Sequence, residues 1–576
     1  MRYSRMLIFL CLLKVVSMRR KYVLSGVPQL RRSRSRFNLS HSVKGTMNVG
    51  DLVPLDVLEV LPGDTFKANP RIVLRVTSSF IKPVLDNLFL DVYHFFVPNR
   101  LLTNWEQIMG ESSTAWAPPA SYSVPTCPLQ TNNRADTVAS AFGLPQGTIL
   151  GNVPVSVLPF RAFAKIYDDW FRDENLINPM NISTGNARTS NETFNTNDWS
   201  VNNYFGLLPK VSKIHDIFTS CLPAPQKGDA VSFPIADIQQ NAPVFTGDSR
   251  LPDSMFNGPM TWGDFSGLGE IDDQFFPVVS SPSGGYPVVN GTYKFNNTEP
   301  VDISGDGVYP NNLYAKVNAE VGSVTVNDLR YAFQMQRVLE TFARGGSRYV
   351  EMLRSFFGVT SPDARLQRSE FLGGRRIPVS VFQTVQTAPA ASESETPIAS
   401  VSGWSSSFGK SAYIKSFTEH GLVLTVGCIR QIHSYQQGIP RLFTRKGQYD
   451  FYLPTLNNIG EQPIMKYELY SKSGNAQIFG YNEAWVHYRS LPNKICGALN
   501  STSKSGLDIW HFGDEYSVEP SLVQSWIEES YSFVDRALSV SGVSPNTPQF
   551  MYDMYYDLFA TRVMSTYSVP GLIDHH

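Results

Sequence analysis

Seven cations crowd into eighteen residues near the start of the sequence: Arg19, Arg20, Lys21, Arg31, Arg32, Arg34 and Arg36, with no carboxylate among them. Guanidinium and ammonium groups at that density neutralise phosphates without reading a base sequence, because they meet a nucleic-acid backbone and not its base edges. The stretch RRSRSR has no interleaved aromatic residue. It therefore lacks the stacking surface of a single-strand platform, and any contact with nucleic acid is expected to be electrostatic and non-specific. A solvated tail, or one docked on a neighbouring copy, would have the same composition. A second pair, Arg344 and Arg348 in ARGGSRY, flanks two glycines. Such a turn could aim backbone N–H and guanidinium groups at a phosphate or at a carboxylate of another subunit, or it could simply end a helix.

Little else in the sequence has the spacing of a reactive site. The nucleophile elbow GxSxG, the phosphate loop, GxGxxG and HExxH are all absent. Nine histidines are dispersed without paired spacing, and His433 and His487 sit among aromatics as ordinary partly buried residues would. Asp302, Ser304, Asp306 and Gly307 imitate the first half of a calcium loop, but the twelfth position is Leu313, where a bidentate glutamate is required. No metal and no cofactor is expected, and the chain does not read as an enzyme. Two carboxylates converging in space would escape such a search.

The elements that must position these residues are mostly strands. Ile72, Leu74 and Val76 alternate in RIVLRV, Leu422, Leu424, Val426 and Cys428 in GLVLTVGC, and Tyr552, Met554, Tyr556 and Leu558 near the end. Period-two patterns predict strands with one buried side. NLFLDVYHFFVP (87–98) is nearly continuous in apolar character, as for a strand covered on both faces. Helices are few. Phe163, Ile166, Tyr167, Trp170 and Phe171 form one stripe after Pro159. A second helix starts near Thr325 with Asp328 in its first turn, carries Ala332, Met335, Leu339 and Phe342, and stops at Gly345-Gly346. A third is predicted after Pro520, with Leu522, Val523, Trp526 and Ile527 together.

Charge divides the 576 residues unevenly. Residues 1–50 hold eleven Lys or Arg and no acid, which leaves 38 basic against 50 acidic residues, about −12, in the remainder. A basic arm on an acidic body predicts that the terminus, and not the body, meets a polyanion. Charged residues are only 17% of the chain while Phe and Tyr number 36 and 26. That balance fits either a large core or extensive burial against neighbours. Five scattered cysteines (11, 127, 221, 428 and 496) match no disulfide framework, which favours a reducing compartment and makes the glycosylation triplets at Asn181, Asn191 and Asn290 chance matches. The apolar run 6–13 is too short to span a bilayer and leads into KVVSMRRK, which has no small-residue cleavage site, so residues 1–17 are expected to be an upstream extension before a working start at Met18, the alternative being a weak signal-like segment. No stable membrane insertion is expected. Residues 241–320, with ten glycines and three basic against ten acidic residues, read as a long exposed insertion.

In order along the chain, RSRFNLSH (34–41), VGDLVPLDVLEVLPGDTF (49–66), DNLFLDVYHFFVPNRLL (86–102) and LPFRAFAKIYDDWFRDENL (158–176) resemble the major capsid proteins of gokushoviruses, within the Microviridae. The resemblance continues through HDIFTSCLPAPQKG (215–228, with Ala224 where an aromatic is expected), LRYAFQMQRVLETFARGGSRYVEMLRSFFGV (329–359) and SPDARLQRSEFLGG (361–374). It ends with YQQGIPRLFTRKGQYDFYLPTLNNIGEQ (435–462) and YSVPGLIDHH (567–576). Segment 1–33 and the insertion depart from it.

This resemblance implies a mainly β fold, an eight-stranded antiparallel viral jelly roll with long loop insertions and a few short helices. The implied organisation is a basic arm over 18–47, a first part of the jelly roll over 48–240 with a helical insertion, the protrusion at 241–320 near threefold axes, and the remainder with a C-terminal arm over 321–576. The implied partners are sixty copies of the chain itself in a T=1 shell, a circular single-stranded DNA genome, a minor pilot-like virion protein and the bacterial host surface. The implied location is the virion, assembled in the host cytoplasm. Composition alone leaves open a secreted β-rich glycan-binding or glycan-cleaving protein, and more remotely a non-viral DNA-compacting protein.

Overall fold

The computed structural model describes residues 33–111, 122–129, 134–147, 153–190, 192–194, 198–229, 231, 326–346, 348–362, 367–387, 397–472, 474, 476–503, 506–540 and 547–567, with four short strands between 244 and 315. The chain forms two compact units, Met1–Lys227 with Thr341–His576, and Gly228–Glu340.

The long strands belong to the first unit. They are β1 (Ser35–Asn38), β2 (His41–Met47), β3 (Val53–Val60), β4 (Thr65–Ala68), β5 (Arg71–Val76), β6 (Leu88–Pro98), β7 (Glu370–Val379), β8 (Val381–Val385), β9 (Val401–Lys410), β10 (Tyr413–Ser416), β11 (Gly421–Gln431), β12 (Phe550–Tyr556) and β13 (Leu558–Arg562). One layer has the order β7-β6-β11-β3. In the other, the sheet β8-β9-β5-β12-β2 continues into the sheet β1-β13-β4-β10, because four of its strands bend after one or two residues and pair again with the same neighbours. Every pairing in these sheets is antiparallel. The chain passes from one layer to the other at almost every step, which is jelly-roll architecture and agrees with the mainly β expectation.

Between the layers the two inner faces interdigitate. Phe417 meets Phe96 and Phe66 at ring-centroid distances of 4.7 and 5.2 Å. Gly409 of β9 has Ile377 of β7 so close that a Cβ would fall 2.1 Å from the Ile377 Cδ1 atom, so a side chain there would push the layers apart. His94 is fully buried in this space and pairs with the hydroxyls of Thr425 (2.9 Å) and Ser411 (3.0 Å).

Leu422, Leu424, Val426 and Cys428 of β11 do not face that core, although their alternation suggested one buried side. Register with Phe95, Tyr93 and Asp91 of β6 puts Leu424, Val426 and Cys428 on the outer face of the layer. The opposite set, Val423, Thr425 and Ile429, is buried too. β11 is hidden on both sides because the connection from residue 99 to 227 lies over the outer face.

That connection carries α1 (Leu158–Ile166), whose Phe163 and Ile166 are buried as predicted, with Phe160 buried beside them. A wider turn over Tyr167–Phe171 follows and sets Trp170 and Phe171 against Phe95, at 5.5 and 6.0 Å. Further on come α2 (Val326–Gly345) and α3 (Tyr349–Phe357), with Gly358 closing α3 at φ 66°. The helix predicted after Pro520 is only a turn, Gln524–Ile527. Its backbone is drawn off to pair with residues 211–213, where Lys213 donates to the Ile527 carbonyl (2.9 Å) and Glu529 to that of Val211 (2.8 Å).

Within the second unit Val244–Thr246 pairs with Leu313–Ala315 and Trp262–Asp264 with Val308–Pro310. Residues 302–307 of the calcium-loop imitation lie outside the described residues. Among the described residues no helix is long and apolar enough to cross a membrane, and no cluster of potential metal ligands occurs.

Candidate functional site

Of the basic arm, Arg19, Arg20, Lys21, Arg31 and Arg32 lie outside the described residues. Arg34 and Arg36 are exposed, and Arg36 projects from the edge strand β1 with its guanidinium 4.1 Å from the centre of the Phe559 ring. The arm therefore joins the body at a sheet edge, beside an aromatic on the next strand.

Arg344 and Arg348 are engaged within the chain. The Arg344 guanidinium pairs with Glu461 and lies 3.7 Å from Glu483. Arg348 donates to the backbone carbonyls of Asp168 (2.7 Å) and Asp169 (3.3 Å) and pairs with Glu351 (3.4 Å) and Glu174 (3.8 Å). The two arginines tie the turn between α2 and α3 to the Tyr167–Phe171 turn and to the loop around Glu461. That geometry favours a positioning role over a phosphate contact.

A cavity of about 530 Å³ opens on the covered face of the β7-β6-β11-β3 layer and is walled by Tyr93, Phe95, Trp170, Phe171 and Phe371. Beside it, Asp91 is fully buried and accepts from Arg376 (2.7 and 2.9 Å) and Arg430 (3.1 and 2.7 Å). Burial alone would raise the Asp91 carboxyl, but the two guanidinium groups override it and hold it below the usual range. A carboxylate so held neither takes nor gives a proton near neutral pH.

Just past β11, His433 is fully buried, not partly buried as its sequence neighbours suggested. Its Nδ1 lies 2.7 Å from Asp514 and its Nε2 3.1 Å from Glu529. Lys213 reaches Asp514 at 3.4 Å. Burial would lower the imidazole, yet the two carboxylates push it up to about 10, while Asp514 sits well below its ordinary value. Both ring nitrogens are occupied, so no lone pair is left for general-base work. The cluster pins residues 213, 433, 514 and 529 together. Only its convergence of charge in space would have revealed it; the sequence spreads these residues over more than 300 positions.

The surface left by the connection after β11 is apolar to an unusual degree. Leu442, Phe443, Tyr449, Leu491 and Val518 are 66–81% exposed. Large apolar groups left exposed in such number suit a surface that meets another protein.

A family model described as "Capsid protein (F protein)" matches residues 25–572. The chain is 34% identical over 571 residues to capsid protein VP1 of Bdellovibrio phage phiMH2K, covering 97% of this chain and 99% of that protein. Capsid protein VP1 of Spiroplasma virus 4 is 35% identical over 562 residues, with 94% and 95% covered. The corresponding protein of Chlamydia phage 1 is 34% identical over 603 residues, with 95% and 97% covered.

Proposed function

The chain belongs to the capsid protein (F protein) family, and from that premise we propose that sixty copies close the simplest icosahedral shell around a circular single-stranded DNA genome. Its role is structural: the family and the relatives are capsid proteins, so the chain is a virion component that associates with its own copies and is not an enzyme. The observation that carries the reading is the match over residues 25–572, together with near-complete coverage of relatives of the same length. The exposed apolar groups between residues 442 and 518 supply surface for self-association, in the range of about 2,000 Å² or more per obligate interface. A glycan-binding or glycan-cleaving reading has no comparable support.

The arm around Arg19, Arg20, Lys21, Arg31, Arg32, Arg34 and Arg36 would neutralise genome phosphates. The acidic insertion 241–320 would meet the bacterial surface, and a pilot-like minor protein would complete the virion. Size-exclusion chromatography with electron microscopy of the purified chain tests the core of the reading: particles of uniform diameter are expected, and a stable monomer under all conditions would contradict it. Deleting residues 18–36 should reduce packaged DNA more than shell formation. Deleting 241–320 should spare assembly and weaken attachment to host cells; lost assembly would make that insertion structural.

A further inference from the structure

One face of the molecule contradicts the expectation that the acidic body has nothing to attract a polyanion. The β7-β6-β11-β3 layer is covered on its outside, but the outward residues of the other layer stand in the open. Register places them in rows across the strands. Lys410, Arg71 and Tyr555 form one row; Phe408, Val73, Asp553 and Lys44 the next; Ser406, Arg75, Met551 and Thr46 a third. Past the bend the rows continue with Ile414, Lys67, Phe559 and Asn38, and then Thr65, Thr561 and Arg36.

Six cations therefore share this face with five aromatics, because Trp404 also projects here, 47% exposed and stacked on its register partner Phe382 of the edge strand β8 at 4.9 Å. Phe408 is 64% and Tyr555 47% exposed. The carboxylates nearby are Asp553, 3.6 Å from Lys44, and Asp557, 3.7 Å from Arg71. Among the described residues Lys67, Arg75 and Lys410 have no ion-pair partner. The surplus of positive charge lies where the body as a whole is negative.

We infer that this open sheet face is a platform for single-stranded DNA, its aromatics stacking on bases and its cations meeting phosphates without sequence preference. The inference rests on the proposed enclosure of a single-stranded genome. Charge selects the occupant. A second copy of an acidic body could answer the cations or the rings, whereas a polyanion that carries a planar group on every repeat answers the interleaved pattern of both. Spacing agrees: successive outward residues of a strand stand roughly 6.6 Å apart, about twice the 3.4 Å stacked rise per nucleotide and so suited to an extended strand. The platform is also continuous with the arm, since Arg36 of the arm lies over Phe559 of the sheet. The aromatics missing from RRSRSR are supplied by the sheet it enters.

The test uses the unassembled full-length chain and labelled oligothymidylate of twenty nucleotides, with an abasic strand of equal length as the second probe, read by fluorescence anisotropy across salt. Phe408→Ser with Tyr555→Ser should weaken oligothymidylate binding about tenfold, leave abasic binding unchanged and keep the salt slope. Lys67→Gln with Arg75→Gln and Lys410→Gln should weaken both probes and lower the salt slope by about two. Oligothymidylate should also quench Trp404 fluorescence, a signal lost in Trp404→Phe.

If the unsubstituted chain binds and both variants bind equally well, the platform is refuted while the shell around DNA stands. If the variants prevent particle formation without changing oligonucleotide binding, the face belongs to a second copy and the inference is again refuted. If the unsubstituted chain binds neither probe and its particles contain no DNA, the proposed genome itself fails, and the platform with it.

Discussion

The two layers of the jelly roll share one core and differ on their backs. Behind β7-β6-β11-β3, where the connection from 99 to 227 lies, buried charges meet matched partners: Asp91 between Arg376 and Arg430, and Arg161 against Glu192. Across the other layer the cations are exposed, and among the described residues Lys67, Arg75 and Lys410 have no ion-pair partner. Where the chain covers itself, charge is fixed by its own opposite; where it leaves a sheet bare, charge is free for something else. Burial makes the first arrangement a matter of stability, and exposure makes the second a matter of binding.

The strongest break of this contrast is at Glu192. Both it and Arg161 are fully buried, 2.6 Å apart, and Arg161 also donates to the carbonyls of Leu102 (2.8 Å), Gly185 (2.8 Å) and Ala187 (3.2 Å). Glu192→Ala leaves a buried guanidinium without its counter-charge and should cost about 3–5 kcal/mol in urea unfolding of the unassembled chain. Arg161→Met with Glu192→Leu should recover part of that loss and not all, because three carbonyls then lose their donor. Next comes Asp91→Ala, expected to cost about 2–3 kcal/mol, since Arg430 is only 17% exposed and Arg376 can turn to water.

Two histidines sharpen the comparison through pH. His433, at the end of the covered layer, has a folded value near 10, above its unfolded 6.5. Its stabilisation is complete below about pH 6.5 and is lost as pH rises toward 10, because the unfolded chain releases a proton that the folded chain keeps. From pH 6.5 to 8 that amounts to at most about 2 kcal/mol, measured as the difference from His433→Gln. His94, between the layers, has the opposite sign. Burial holds it neutral down to about 3, so its contribution is lost as pH falls below about 6.5, where the unfolded chain gains a proton the folded one refuses. Urea midpoints between pH 4 and 8 for the two glutamine variants should deviate from the parent in opposite directions.

Much of this was legible in the residues, and the limits have physical causes. Period two in RIVLRV and MYDMYYDLFA marked strands correctly, and with them, by default, the outward Arg71, Arg75, Met551 and Tyr555. What a sequence cannot show is that β12 lies between β5 and β2, some 480 residues away, so that these outward residues form rows. The averaged charge of about −12 concealed the positive face for the same reason. GLVLTVGC was misjudged because its alternating face meets a distant connection, not the core. His433 looked ordinary because its partners arrive from residues 514 and 529. The turn at 524–527 shows pairing with residues 211–213 overriding helical spacing.

The smallest effect should come from the bare face itself, and it is the most exacting check of the contrast. Phe408→Ser and Tyr555→Ser remove rings that are already 64% and 47% exposed, so little transfer free energy is at stake on folding. Cross-strand support is thin as well: Phe408 stands opposite Val73, and Tyr555 stands beside Arg71 and Ser42. Each substitution should shift the stability of the unassembled chain by no more than about 0.5 kcal/mol, against about 3–5 kcal/mol for Glu192→Ala behind the other layer. A loss of about 2 kcal/mol or more from either ring would mean that the chain itself covers this face in solution, and the difference between the two backs would disappear. A negligible loss leaves two large rings kept in water on a cation-rich sheet for a reason outside the folding of this chain.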